Sequence, residues 1–198
     1  MNLTSLGLFL VTATALLGSP GPGIASLIAI GRSAGLARGF IYYLGLQLGL
    51  AITAALCAAG LFSLISLVPG ALTVMTIAAT LYLIYLAWCI ATAPVGNPDA
   101  SGPRTASFGA GALLGLTNPK AFVAFMSLFA SQTIVAGSAR QDTLLKWLLV
   151  VLVILAVDLG WLLVGVSLRR ANMRPALERL LNVALGGFIL AATVLALL

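Results

Sequence analysis

Apolar residues fill almost the whole chain in long runs, and short groups of charged residues, Pro and Gly separate these runs. The six runs cover about 4–31, 39–62, 68–91, 106–136, 145–167 and 178–198. A membrane-spanning helix needs about 20 apolar residues, and the runs lack the period-two alternation of a membrane β-barrel. The pattern therefore predicts an all-α integral membrane protein with six transmembrane segments.

Composition supports the same class. Hydrophobic residues make up 62% of the chain and charged residues 7%, with a mean hydropathy of +1.18, whereas a soluble domain has about 45–50% apolar and about 25% charged residues. At 198 residues we expect one transmembrane domain over 1–198. The first run is expected to be a mature span, because no basic segment of a signal peptide precedes it.

Basic residues concentrate in one set of loops. The segments after runs one, three and five hold Arg32, Arg38, Arg104, Arg169, Arg170, Arg174 and Arg179. The opposite side has only Arg140 and Lys146. The positive-inside rule then places both termini outside the cytoplasm. Because the net charge of +6 is spread over single residues and pairs, it indicates loop anchors at anionic lipid headgroups and not a nucleic-acid interface.

Runs one and four are longer than a bilayer requires, and each contains a helix breaker near its middle. As helices they would exceed about 40 Å, against a hydrocarbon core of about 30 Å. The breakers are Ser-Pro-Gly-Pro-Gly at 19–23 and Thr-Asn-Pro-Lys at 117–120, each preceded by Leu-Leu-Gly. Paired interrupted helices are typical of transporters built from inverted repeats. We predict two inverted three-helix repeats, about 1–93 and 104–198, with broken first and fourth helices; two ordinary proline kinks are the alternative.

The two breaks predict a binding site. Prolines remove helical hydrogen bonds, and in lipid the freed carbonyl and N–H groups need protein, water or a ligand. The half-helix that follows each break presents a positive dipole end suited to a carboxylate. An amide in run two could also contact a polar ligand, although a packing hydrogen bond is the alternative. The candidate substrate-binding residues are Pro20, Gly21, Pro22, Gly23, Gln47, Asn118, Pro119 and Lys120.

Asp158 is the only carboxylate in the interior of a run. A charge at the bilayer centre costs at least about 2.5–3.5 kcal/mol, so Asp158 should face a partner or a wet cavity. We predict that it carries the coupling proton, with a structural ion pair or a neutral acid as the alternative. Lys120 lies at similar depth, and we expect it to pair with Asp158 or with a substrate carboxylate. A lysine that extends to the interface is the alternative.

The residue inventory disfavours other chemistries. The chain has no His, and Cys57 and Cys89 are far apart in sequence, so no metal-ligand spacing or redox pair occurs. No phosphate-binding glycine loop occurs either. We expect no catalytic residues, no metal, no cofactor and no direct use of ATP.

The chain resembles the bacterial LysE-type amino-acid exporters, most closely the homoserine/threonine exporter (RhtB) branch. The resemblance extends in order over nearly the whole chain. It departs at Gly23, where many relatives have Asn, and after Trp88, where many have a basic residue. The motifs that carry it are those at 19–23, 45–49, 82–86 and 117–121, Asp158, and the 181–187 segment.

This resemblance implies a proton-driven secondary transporter of the inner (plasma) membrane, which exports small amino acids or derivatives resembling homoserine, threonine or leucine. The expected partners are the lipid bilayer, the amino-acid substrate and a proton as coupling ion. No nucleic acid is expected, and a homodimer is an alternative to a monomer. An inorganic-ion or metal exporter of related architecture is the main rival, although one carboxylate without His is a poor metal site. A membrane enzyme, a redox carrier and a purely structural protein are further rivals.

The expected topology can be tested by labelling single cysteines in a variant without Cys57 and Cys89. Cysteines at Asn2 and Leu198 should react with an impermeant thiol reagent in intact cells, because the charge bias places both ends outside. A cysteine at Arg38 is the cytoplasmic control and should react only after permeabilisation. A terminus that behaves like the Arg38 control would contradict the topology.

Overall fold

The structure is a computed structural model that describes residues 1–60, 70–92, 106–170 and 174–195. All regular structure in these ranges is helical. The helices are α1 (Leu3–Gly18), α2 (Pro22–Ala58), α3 (Ala71–Ala91), α4 (Phe108–Thr117), α5 (Pro119–Phe129), α6 (Ala139–Arg170) and α7 (Pro175–Leu195). The predicted turns at 63–68 and 94–103, and Arg104, lie outside the described residues.

The helices confirm the predicted class of helical membrane protein. Within the described ranges, α2 and α6 are each long and apolar enough to cross a bilayer, and the bent pair α4–α5 makes a third span if it is counted as one. Helix α1 and the Thr80–Ala91 part of α3 are shorter apolar helices. The six-span arrangement and the inverted repeat stay predictions.

Both predicted breaks are present, and proline chemistry accounts for them. A residue before proline is driven towards extended backbone, and Ser19, Gly21 and Asn118 are all extended. Pro22 then begins α2 and Pro119 begins α5, positions at which the missing N–H costs no helical bond. The axis bends by 55° between α4 and α5. The first break covers residues 19–21, within the predicted range, and residue 23 lies in the first turn of α2.

Helix α2 contains a sharp turn at Gly35, inside the connection that was predicted between Arg32 and Arg38. Gly35 has φ 74° and ψ −176°, in the left-handed region that glycine enters without steric cost. The two parts of α2 lie side by side across this turn, because a Cβ added to Gly39 would lie 3.6 Å from the Gly31 Cα. The predicted boundary between runs one and two is therefore present, as a turn at one glycine and not as a loop over residues 32–38.

The outer ends of runs four and five also differ from prediction. Helix α5 ends at Phe129 and α6 begins at Ala139, so residues 130–138 form a turn. The Asp142 carboxylate holds this turn, because it accepts hydrogen bonds from the backbone N–H groups of Ile134 at 2.6 Å and Val135 at 2.8 Å. Because Asp142 satisfies these two backbone N–H groups, they need no helical hydrogen bonds.

Lys146 is buried, although the sequence indicated a loop anchor. Its side chain forms an ion pair with Asp142 at 2.9 Å, and the residue is 3% exposed. The ammonium also donates to the carbonyls of Phe129 at 3.4 Å and Ser131 at 3.3 Å, so it satisfies acceptors that the end of α5 leaves free. Lys146 therefore joins α6 to the end of α5.

Small residues let the central helices approach closely. Helix α2 makes its most extensive contacts with α6 and α4. A Cβ added to Gly115 would lie 2.6 Å from the Leu46 carbonyl oxygen. Thr53 crosses the same contact, because its hydroxyl donates to the Gly115 carbonyl at 3.0 Å. Other glycines that meet facing backbone in this way are Gly45, Gly49, Gly111 and Gly186, whereas Gly109 and Gly187 face open space.

Gly115→Ala and Gly109→Ala form a matched pair of substitutions in α4. The Gly115 variant should lose about 1–3 kcal/mol of stability, because its methyl group overlaps the α2 backbone. The Gly109 variant should be neutral or gain up to about 1 kcal/mol from helix propensity. Melting in detergent, followed by tryptophan fluorescence, compares the two. Equal melting temperatures would contradict the close packing of α4 on α2.

Candidate functional site

The Lys120 side chain joins the two helix breaks. Its ammonium donates to the carbonyl oxygen of Ser19 and, at 3.4 Å, to that of Pro20. A Cβ on Gly21 would lie 2.7 Å from the Lys120 Cδ, so the lysine stem occupies space that only glycine leaves open. The prediction that the two breaks lie close together is confirmed.

An open cavity lies beside this junction, and its empty space, which includes its open side, is about 430 Å³. Its polar side chains are Asn118, Lys120 and Asp158. Its apolar lining consists of Leu16, Leu17, Ile24, Leu50, Ala121, Ala124, Phe125 and Ile154, with Gly21 and Gly23 at the first break. The lining therefore offers a cationic and an acidic group beside an apolar wall.

Asp158 is paired with Gln47. The Gln47 Nε2 donates to the Asp158 Oδ2 at 2.8 Å, and the two residues are 7% and 6% exposed. A buried carboxylate needs such a donor to offset its loss of water. The expected ion pair between Lys120 and Asp158 is not formed. The lysine ammonium instead satisfies carbonyls at the first break, although both side chains line the same cavity.

Hydrogen bonds between α2 and α6 on both sides of Gln47 hold the Gln47–Asp158 pair in place. The Tyr43 hydroxyl donates to the Leu155 carbonyl at 2.9 Å, one turn before Asp158. Further along, the Trp147 indole N–H donates to the Ala51 carbonyl at 3.2 Å. Positions 43, 47 and 51 are four residues apart and so share a face of α2. Contacts on both sides of Gln47 therefore fix the register of α2 against α6 at the pair.

Two buried amide oxygens have no hydrogen-bond partner among the described residues: Asn118 Oδ1 and Gln47 Oε1. Buried polar atoms without partners are rare in proteins and indicate water or a ligand that completes the site. Because Asn118 lines the cavity, its oxygen is an acceptor within reach of a ligand that donates hydrogen bonds.

A hydroxyl cluster supports the start of α2 and was not foreseen from the sequence. The Tyr42 hydroxyl donates to the Ser26 Oγ at 3.0 Å, and the Ser26 hydroxyl donates to the Gly23 carbonyl at 2.7 Å. Both residues are fully buried. They stiffen the first turn of α2, where Gly23 lines the cavity.

The predicted site residues fall into three groups. Those that line the cavity are Gly21, Gly23, Asn118, Lys120 and Asp158. Gln47 lies outside the lining and donates a hydrogen bond to Asp158, and the Pro20 carbonyl accepts one from Lys120. Pro22 and Pro119 begin the helices after the breaks.

The apolar lining of the cavity was not predicted from the sequence. Helical spacing would have found part of it, because residues three or four positions from a site residue share its face. Leu50 follows Gln47 by three positions, Ile154 precedes Asp158 by four, and Ala124 follows Lys120 by four.

Comparisons with known proteins show which family the chain is similar to. A family model described as "LysE type translocator" matches residues 14–198. A leucine efflux protein of Klebsiella pneumoniae is 30% identical over 126 residues, which are 61% of this chain and 59% of that protein. A cysteine/O-acetylserine efflux protein of Escherichia coli K12 is 30% identical over 152 residues, 74% of this chain and 75% of that protein. No solved structure matches the chain.

Lys120→Met tests the contact between the two breaks. It removes a charged donor worth about 1.5–3 kcal/mol, so hydrogen exchange of the amides of Ser19, Gly21 and Gly23 should accelerate about tenfold or more. Arg140→Met, which removes an exposed cation from the first turn of α6, should leave exchange at these three residues unchanged. Unchanged exchange in both variants would show that Lys120 does not hold the breaks together.

Proposed function

This chain belongs to the LysE type translocator family, and we propose that it is a secondary transporter that exports a small neutral amino acid, or a close derivative, from the cytoplasm. The two similar proteins are named for efflux of leucine and of cysteine or O-acetylserine. The proposal also places the chain in the inner membrane with both termini outside the cytoplasm, and makes the proton-motive force the energy source.

One observation carries the proposal: both helix breaks meet in a single cavity that also contains Asp158. A zwitterion needs a cation and N–H donors for its carboxylate, and acceptors for its ammonium. Lys120 and the N-terminus of α5 supply the first set. The unpaired oxygen of Asn118 and the Asp158 carboxylate supply the second.

Substrate binding would change the partners of Lys120. Its ammonium is held by neutral carbonyls of the first break. A substrate carboxylate is the stronger partner, because its full negative charge attracts the ammonium more than the partial charge of a neutral carbonyl does, and this attraction grows where water is excluded. The incoming substrate would therefore draw Lys120 away from the break and free the carbonyls of Ser19 and Pro20. Substrate binding and the geometry of the broken helix are linked in this way.

Gln47 would allow Asp158 to load and release a proton. The amide N–H suits the ionised carboxylate, as in the present 2.8 Å hydrogen bond. After rotation of the amide, the Oε1 that now lacks a partner would accept a hydrogen bond from the protonated acid. One side chain thus satisfies both states of a buried acid, which is what a proton carrier requires.

Export of an inorganic cation fits the cavity less well. Hard cations bind six or more oxygen ligands, usually with several carboxylates. The described lining offers one carboxylate and one amide. The Lys120 ammonium at the same cavity would repel a metal ion, whereas it would attract an amino-acid carboxylate.

Asp158→Asn tests the proton role. In proteoliposomes with an imposed pH gradient, this variant should accumulate substrate at least about tenfold more slowly than the unmodified protein, because an amide cannot carry the proton. Exchange of labelled for unlabelled substrate without a gradient should persist. Glu178→Gln, which changes an acid in α7 outside the cavity lining, is the matched control and should keep gradient-driven transport. Normal accumulation by Asp158→Asn would remove Asp158 from the mechanism.

A further inference from the structure

The composition of the cavity lining indicates which kind of substrate side chain the cavity favours. Eight of the lining residues are apolar, and among the lining side chains only Asn118, Lys120 and Asp158 carry a polar group. In the proposed function these three groups already serve the substrate carboxylate, the substrate ammonium and the coupling proton. No polar lining side chain is left to contact the substrate's own side chain.

The shape of the lining also favours one place for that side chain. On α5, Ala121 and Ala124 lie three positions apart and so share a face of the helix. They are small, and the neighbouring Phe125 is fully buried. Leu50 from α2 and Ile154 from α6 complete the same lining. The small side chains of the two alanines leave space in the cavity, and Leu50 and Ile154 on the facing helices border that space.

We propose that this wall is a subsite for an aliphatic side chain, so that the protein selects amino acids such as leucine, isoleucine or valine over hydroxylated ones. The inference rests on the proposed function and narrows its substrate class. A hydroxyl group placed against this wall would lose its hydrogen bonds to water and gain none in return. The homoserine and threonine that the sequence resemblance implies would then be poor substrates.

The size of the expected preference follows from the pocket type. Apolar pockets discriminate by about 10- to 200-fold for one methylene group, and by about 100-fold against an isostere that carries a hydroxyl group. Valine and threonine have nearly the same shape and differ by a methyl group in place of a hydroxyl. Their comparison therefore isolates side-chain polarity from size.

The test is gradient-driven transport of labelled valine and threonine by the full chain in proteoliposomes. The ratio of kcat/KM for valine to that for threonine should be about ten or more. Equal transport of the two, or faster transport of threonine, would overturn the subsite and leave amino-acid export intact. If neither these two nor any member of a mixed amino-acid pool is transported, the proposed function itself fails, and the subsite with it.

Variants of the wall provide a second, independent readout. Ala124→Ser places a hydroxyl in the lining and should reduce the valine-to-threonine ratio several-fold. Ala54→Ser is the matched control, because Ala54 is fully buried in α2 outside the cavity lining, and its ratio should not change. An unchanged ratio in Ala124→Ser would overturn the subsite.

Ala124→Leu tests the same wall by size. The larger side chain should fill the space beside Phe125 and reduce leucine transport at least about tenfold more than alanine transport, because only the longer substrate reaches the wall. Continued transport of alanine shows that the variant is folded. Equal effects on both substrates would place the substrate side chain elsewhere.

Discussion

The structure depends on one constraint: polar backbone groups that a membrane-embedded helix leaves unpaired must find partners inside the protein. Prolines at 20, 22 and 119 create such groups by ending helices in the middle of apolar runs. At the first break, the Lys120 ammonium satisfies the carbonyls of Ser19 and Pro20. The lysine is itself expensive to bury, and the carbonyls give it partners. The carbonyls therefore offset the cost of burying the lysine, and the lysine offsets the cost of leaving the carbonyls without helical partners. The cavity lies where this contact holds the two breaks together.

Close approach of the surrounding helices maintains this junction. Glycine pairs between α2 and α4, such as Gly49 facing Gly115, bring backbones together where any larger residue would separate them. In lipid, where apolar surface gains little by leaving the solvent, packing of this kind and hydrogen bonds between helices stabilise the bundle. The Gln47–Asp158 bond and the Tyr43 and Trp147 bonds join α2 to α6 in the same way. Helix α2 thus contributes both to the close packing of the bundle and to the polar site.

The sequence predicted those features whose cause is local. Proline and glycine in an apolar run predict a break, because their chemistry acts on the adjacent peptide groups, and both breaks are present. The present partners of Lys120 were not foreseen, because the choice between Asp158 and the break carbonyls depends on distances that only the tertiary structure sets. Its expected contact with a substrate carboxylate stays a prediction. Lys146 was assigned to the surface for a similar reason. A lysine four positions after Asp142 can be exposed or paired and buried, and the helix ends decide which. The connection expected at 32–38 is present as a tight turn, because Gly35 alone redirects the chain.

Two polar groups at or next to the cavity, Lys120 and Gln47, each have more potential partners than they can bind at once. Lys120 can serve the break carbonyls or a carboxylate, and Gln47 can serve an ionised or a protonated Asp158. The Asn118 oxygen has no partner within the described residues and would gain one from a ligand. A site of this kind cannot satisfy every group in a single arrangement. Ligand or proton occupancy then decides which arrangement is more stable, as expected when a ligand shifts a two-state equilibrium by its differential affinity. Because the first break lies at the start of α2, a change of partner at Lys120 would act directly on the part of α2 that precedes the turn at Gly35.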